Sequence, residues 1–345
     1  MTRRRIGLAL LGAVVGAFAL SVALAVPRLS RHDYAATPLW RLTDGTYRYA
    51  GGPIPGLTDA QGVRVVDYGA ELGRRYSPTA VAQFAISLSD RLGDARSRDV
   101  FLRQVEWLRT NAVRDARRGV IWPHDFDWPI NRQRAPWVSA LTQGNAISAL
   151  VRAHRSTGDT AYLALARGAL RVFDVDERAG GVRKTIEPGV VVYEEYPISD
   201  YVVLDGWLNA LAGVQELYLA TGDSTARRLL DEGVRSARVL LPRFTGRWSF
   251  YYSSRRDLPS PAYFAASYNA LRYLAIHRPE LREQERRWRR FIPSDFWVKW
   301  ARVWYQTLNW RRLALFGVPP LADQARGKKR QLDERHGSMY PARPS

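Results

Sequence analysis

The sequence predicts an all-α-dominated fold: about four helical hairpins arranged around a shared core, preceded by a short loop and strand segment and an N-terminal apolar helix. Three observations predict it. Apolar residues at helical spacing dominate the chain beyond residue 75. Three amphipathic runs, 81–94, 142–159 and 204–223, each close on a Gly-Asp pair and lead into a second helical run. The pairs begin at Gly93, Gly158 and Gly222, which spaces them by 65 and 64 residues. A fourth, degraded copy runs from Tyr263 through Tyr273 to Pro279-Glu280 and the charged stretch around Trp288. A hairpin cannot bury its apolar face alone, so near-identical spacings mean that the copies pack on one another. With 345 residues, 46% of them hydrophobic, the chain can build such a core.

The elements follow in order. Arg3, Arg4 and Arg5 precede an uncharged run over 6–26, long enough as a helix to cross a hydrocarbon core of roughly 30 Å. Arginines on the cytoplasmic side would send the body of the chain outward. Ala23-Leu24-Ala25 before Pro27 reads alternatively as a signal-peptidase site, so residues 1–28 are a transmembrane anchor or, with secretion, a signal peptide. Residues 29–75 are rich in Gly and Pro, with alternating pieces such as Val63-Arg64-Val65-Val66-Asp67-Tyr68, and read as loop with a strand or two. The hairpins occupy 76–292. Long insertions at 117–137 and 174–201 carry many of the Trp, Tyr and carboxylate residues, and loops gathered at one face of a rigid helical frame are where a site is expected. This is the pattern of an incomplete α/α toroid with a loop-lined cleft; a plain α-solenoid that binds protein is the alternative. In the tail, 293–345, Trp297, Trp300, Trp304 and Trp310 interleave with Lys299, Arg302, Arg311 and Arg312. That composition suits a membrane interface or packing against the hairpins.

Lys and Arg number 52 against 33 Asp and Glu, a formal charge of +19, which favours a polyanionic partner. An outward-facing body removes nucleic acid from the choices and leaves anionic lipid or an acidic polysaccharide. The absence of cysteine excludes a disulfide framework, an iron–sulfur cluster, a thiolate zinc site and a Cys nucleophile. His32, His124, His154, His277 and His336 are scattered, so no metal centre is expected, and His124-Asp125-Phe126-Asp127 is too sparse to imply one. A structural divalent cation and the oligomeric state are left open.

Two stretches resemble a known family. Ala135-Pro136-Trp137-Val138-Ser139-Ala140-Leu141-Thr142-Gln143-Gly144-Asn145-Ala146-Ile147-Ser148 and Tyr193-Glu194-Glu195-Tyr196-Pro197 are similar to motifs of the C-terminal domain of D-glucuronyl C5-epimerases. Val203-Leu204-Asp205-Gly206 stands where that family has Val-Leu-Asn-Gly. Tyr76-Ser77-Pro78 and Leu241-Pro242 with Tyr251 and Tyr263 extend the resemblance over roughly 76–292. It implies an α/α-toroid isomerase, without a cofactor required for its chemistry, that inverts C5 of uronate residues in an acidic polysaccharide. A polysaccharide lyase, which shares the first proton abstraction, and a non-catalytic cell-surface glycan-binding protein are the alternatives.

C5 inversion removes a proton α to a carboxylate and returns one to the opposite face, so it needs proton-transfer groups on both sides of the ring. A phenol, of ordinary pKa about 10, is matched to a weakly acidic carbon once a neighbour assists it. The resemblance assigns these roles to Glu195, Tyr196, Tyr251 and Tyr263, with Tyr252 in place of Tyr251 if the register slips by one. Expected substrate-binding residues are Trp137, Gln143, Asn145, Tyr193, Glu194, Arg255 and Arg256. The arginines suit a uronate carboxylate, and Trp137 suits a pyranose face or simple packing. Gln143 and Asn145 suit sugar hydroxyls or buried hydrogen bonding.

Overall fold

In a computed structural model of the chain the described residues are 7, 11–17, 20, 56–68, 72–128, 131–247, 249–257, 259 and 261–291. Residues 38–291 form one compact unit and 1–37 with 292–345 another. Four hairpins account for the helices of the first unit. They are α1 (Pro78–Leu88) with α2 (Ala95–Thr110), α3 (Ala140–Thr157) with α4 (Ala161–Gly168), α5 (Leu204–Thr221) with α6 (Ser224–Leu240), and α7 (Pro261–His277) with α8 (Arg282–Arg289). The first helix of each hairpin packs on the first helix of the next, α1 on α3, α3 on α5 and α5 on α7, while the second helices stay with their own partners. The result is an inner row flanked by an outer one.

The Gly-Asp pairs explain the hairpin turns. Gly158 (φ +78°) and Gly222 (φ +67°) end α3 and α5 in the left-handed conformation that costs glycine no Cβ clash. The following aspartates supply acceptors to exposed helix N–H groups: Asp223 accepts from Ala226 N at 2.9 Å, and Asp94 caps α2 from Ser97 N at 2.8 Å. Ser77 caps α1, and Pro78 occupies its first turn, where a missing N–H costs nothing. The helix therefore begins three residues before the apolar run at 81.

Inner helices α3 and α5 are buried on all sides through most of their length, and small residues set their separation. Gly144 lies against the backbone of Asn209 and Ala210, and Gly213 against the carbonyl of Gly144, with no room for a Cβ at either. Where helices touch this closely, polar groups between them must pair. Glu216 of α5 accepts from Ser148 of α3 and holds Arg152 at 3.0 Å, and Arg152 also donates to Ser89 Oγ at 2.7 Å beyond α1.

Three short antiparallel ribbons fill the connections: β1 (Val66–Asp67) with β2 (Arg74–Arg75), β3 (Val113–Asp115) with β4 (Gly119–Ile121), and β5 (Arg183–Glu187) with β6 (Val190–Tyr193). The strand expected within 63–68 is β1. Ribbon β5–β6, in register Arg183 opposite Tyr193 and Lys184 opposite Val192, folds the 174–201 insertion back onto α6.

Residues 11–17 are helical and exposed. No helix among the described residues is long and apolar enough to cross a membrane, so the expected transmembrane helix gains no support from the structure. Most of the 6–26 run lies outside the described residues, and the basic tail 293–345 lies wholly outside them.

Candidate active site

The site forms at the N-terminal ends of α3 and α5, where two loops and one extended segment meet. The first loop is pinned by an antiparallel bridge: His124 N donates to Trp137 O at 2.8 Å and Trp137 N returns a bond to His124 O at 3.2 Å. This stacks the Trp137 indole on the His124 ring, centroids 4.0 Å apart, with Trp137 Nε1 donating to Phe126 O at 2.9 Å. The second loop leaves β6 at Tyr193 and carries Glu194, Glu195 and Tyr196. Ala140 N, in the first turn of α3, donates to Glu194 O at 2.9 Å, so the motif's backbone is clamped to the helix start.

Alternation along this segment separates the motif's roles. Tyr193 is fully buried and turned away from the loop, its hydroxyl donating to Leu229 O at 3.0 Å and its ring edge-on to Phe173. Glu194 is buried against Lys184 at 3.3 Å, and burial pushes its carboxyl up to about 8 against the opposing pull of that ammonium. Glu195 and Tyr196 instead face a cavity of about 210 Å³ walled by Trp137, Trp128, Tyr68 and His124. The Tyr196 hydroxyl is hydrogen-bonded to Glu195, and its ring tilts toward Trp137 at 5.8 Å. Burial, then the neighbouring Asp205, raises the Glu195 carboxyl well above the carboxylate range. Burial and the Glu195 charge raise Tyr196 as well, so the phenol is neutral at rest.

The extended segment runs beside the start of α5. Leu204 N donates to Tyr252 O at 2.9 Å, and Val203 bridges Ser253. In an extended chain neighbouring side chains point to opposite sides, so only one of the tyrosine pair reaches the site, and it is Tyr252. Its ring lies 4.7 Å from that of Tyr263, and Glu195, Asp205, Tyr263 and Tyr201 all act on its phenol. Tyr251 lies against Gly246 on the other side. The structure thus brings together Glu195, Tyr196, Tyr252 and Tyr263, and leaves Tyr251 out.

The expected binding residues divide in the same way. Trp137 lines the cavity. Gln143 is buried between the ends of β4 and α3, accepting from Trp122 N and donating to Val120 O, both at 3.0 Å. Asn145 is buried within α3, and Tyr193 and Glu194 support the loop from behind. Arg255 is exposed, paired with Asp200 and lying over the Tyr201 ring at 4.3 Å; Arg256 is exposed at φ +65°. None of these six lines the cavity. Among the described residues no group of three or more His, Asp or Glu is arranged to hold a metal. Two residues that pattern reading passed over belong to the site: Asp205, whose signal was an acid at a helix start, and His124, whose signal was its two-way tie to Trp137.

His124 is buried, its Nε2 within 3.1 Å of Thr142 Oγ1 and 3.3 Å of Thr79 Oγ1, and burial holds its pKa down to about 3. Since the unfolded imidazole titrates near 6.5, the unfolded chain binds the proton first, and the neutral ring's contribution is lost as pH falls from about 6.5 toward 3. Glu194 works in the opposite sense, losing its contribution as pH rises from about 4.5 toward 8. Urea midpoints of wild type and His124→Gln should therefore converge between pH 7 and pH 4, because only the wild type carries the histidine term. Parallel curves would show that His124 is not neutral in the fold.

A row of helical hairpins with a buried carboxyl, Glu195, and a cluster of phenols beside an aromatic cavity defines a class, a hairpin-built protein with a carboxyl–phenol cluster at the ends of its inner helices. The family follows from comparison with known proteins. Residues 116–286 match the model of the D-glucuronyl C5-epimerase C-terminus, and the chain belongs to the D-glucuronyl C5-epimerase family. It is 38% identical over 129 residues to the D-glucuronyl C5-epimerase of Caenorhabditis elegans, covering 33% of this chain and 21% of that protein. It is 29% identical over 142 residues to an uncharacterised protein of Methanocaldococcus jannaschii, covering 38% and 44%. The chain thus spans less than half the length of these curated relatives. Among solved structures it is similar to cellobiose 2-epimerase from Bacillus thermoamylovorans, with TM-score 0.45, 9% identity, and coverage of 61% of this chain and 58% of that one.

Proposed function

We propose that this protein epimerises uronate residues, D-glucuronate to L-iduronate in type, at C5 within an acidic polysaccharide, on an incomplete α/α toroid. The observation that carries the reading is the convergence of Glu195, Tyr196, Tyr252 and Tyr263, drawn from two loops and α7, beside a cavity with aromatic walls. Three phenols and a carboxyl are groups for moving a proton to and from carbon. We assign the Tyr196–Glu195 pair to one face of the sugar and the Tyr252–Tyr263 pair to the other. One pair removes the C5 proton, the electron pair spreads into the uronate carboxylate as an enolate-like anion, and the other pair returns a proton from the opposite face. Protons balance, no bond in the chain breaks, and no electron acceptor is needed. Aromatic walls at Trp137 and Trp128 are matched to pyranose faces, and the +19 charge draws a polyanion to the surface. Arg3, Arg4 and Arg5 before the 6–26 run favour an extracytoplasmic body, anchored or secreted.

The test is incubation with a panel of uronate polymers in deuterated water, read by NMR. Deuterium at C5 in chains of unchanged length is the expected result. Shortened, unsaturated products would replace the epimerase by a lyase, and binding without exchange would leave a glycan-binding protein.

A further inference from the structure

Asp205 stands at the first turn of α5, and its side chain is buried at 4% exposure beside the Glu195 carboxyl, itself at 8%. The Glu195 carboxyl rests on Gly206, the next residue of α5, so closely that a Cβ there would strike Oε2. Two oxygens of this pair, Glu195 Oε2 and Asp205 Oδ1, are buried without a hydrogen-bond partner. Two carboxyls placed side by side away from water do not both ionise, and two unpartnered acceptor oxygens leave room for a proton.

The surroundings decide where the proton sits. Burial raises the Asp205 carboxyl to about 7, against the pull of the backbone N–H groups of Asp205 and Gly206 at the helix start, which favour its anion. On the other side, Glu195 is faced by Tyr196, which hydrogen-bonds it, and by the Glu194 carboxyl, which has Lys184 at 3.3 Å. Tyr252 and Tyr201 close the site as neutral phenols, with the Tyr263 ring 4.7 Å from that of Tyr252, and His124 across the cavity is a neutral imidazole. Of the groups around the pair, the Asp205 charge is the strongest that acts on Glu195, after burial itself.

We propose that Asp205 is a positioning residue of this site, holding one proton on the Glu195–Asp205 pair so that Glu195 enters the reaction as an acid. The role of Glu195 in this statement rests on the epimerase reading, whereas the shared proton does not. With Glu195 protonated, Glu195 through Tyr196 supplies the returning proton, and the first abstraction falls to a phenol of the facing pair that has first released its own proton to solvent as a phenolate. That fixes a direction of proton flow which Asn at the same position would not impose.

The experiment follows the carbonyl band of protonated carboxylic acid by difference infrared spectroscopy against pH, in the full chain, for wild type, Asp205→Asn and Glu195→Gln. The wild type should keep two protonated buried carboxyls at neutral pH, Glu194 through its burial and one shared by Glu195 and Asp205. Asp205→Asn, of equal size, should shift the titration midpoint of the shared carboxyl down by about one pH unit or more, a tenfold change in the proton equilibrium. The alkaline limb of C5 exchange should move down with it. Glu195→Gln should remove the shared carboxyl's part of the band at neutral pH and leave that of Glu194. An unchanged midpoint in Asp205→Asn, or a neutral-pH band left undiminished in Glu195→Gln, would overturn the proposal. Should the midpoint shift while no uronate polymer exchanges, the shared proton stands and the epimerase reading alone falls.

Discussion

Tyr252→Phe and Tyr263→Phe are each expected to lower C5 exchange by about 100-fold or more, the scale on which a general acid or base contributes, while Tyr251→Phe stays near normal. Each replacement keeps the ring and removes only the hydroxyl. The contrast rests on placement: Tyr252 and Tyr263 lie with ring centroids 4.7 Å apart and act on the Glu195–Tyr196 pair, whereas Tyr251 packs on Gly246. Loss of a structural hydroxyl would appear instead as a stability change of about 1 kcal/mol with turnover preserved. Kinetics of the three variants, with urea midpoints as the folding control, separate these outcomes. Near-normal exchange in both Tyr252→Phe and Tyr263→Phe would remove the phenols from the chemistry and leave it to Glu195 and Tyr196. Loss confined to Tyr251→Phe would mean that the 251–254 segment sits one residue out of register.

The largest effect on stability is expected at Glu216→Ala. Glu216 is 1% exposed and is the acceptor for Ser148, Arg152 and Arg155. Its removal leaves the Arg152 guanidinium, 7% exposed, without its counter-charge between inner helices, a loss of about 3–5 kcal/mol. For a domain of this size that is a fall in Tm on the order of 10 °C. The double variant Arg152→Met, Glu216→Leu removes both charges and should recover most of the loss, because the penalty belongs to the orphaned ion rather than to the missing contact. If the double variant were no more stable than Glu216→Ala, shape rather than charge would govern this interface. Because the pair lies along the helices and away from the Glu195 cavity, C5 exchange per folded molecule should stay the same in both variants.

The hairpins were legible in the chain because their signals are local. Apolar spacing, Gly158 and Gly222 as left-handed stops and Asp94 and Asp223 as caps act within a few residues, and the structure places α1–α2, α3–α4, α5–α6 and α7–α8 where those signals lie. Part of the site was legible for a different reason: Tyr193-Glu194-Glu195-Tyr196-Pro197 is a short motif whose chemistry is carried by residue type. What local pattern does not encode is direction. Whether Glu194 or Glu195 meets the cavity depends on how ribbon β5–β6 twists out toward the start of α3, and only the clamp from Ala140 N to Glu194 O decides it.

The same holds for the adjacent tyrosines, which composition cannot distinguish and which the bridge between Val203 and Ser253 assigns to opposite sides. Gln143, Asn145 and Tyr193 looked available to a ligand because polar side chains near a motif carry no mark of burial. Gln143 is enclosed beside β4, where it bonds to Trp122 and Val120, Tyr193 against α6, where it bonds to Leu229, and Asn145 within α3. Asp205 shows the reverse. As a lone acid at a helix start it reads as a cap, and it becomes a partner of Glu195 only when the tertiary fold seats that carboxyl on Gly206. The sequence by itself thus determined the elements and pointed to the family, both of which depend on residue types at short spacing. Which side chains face one another, and with what charge, was decided by the tertiary structure, because burial and proximity are properties of segments far apart in the chain.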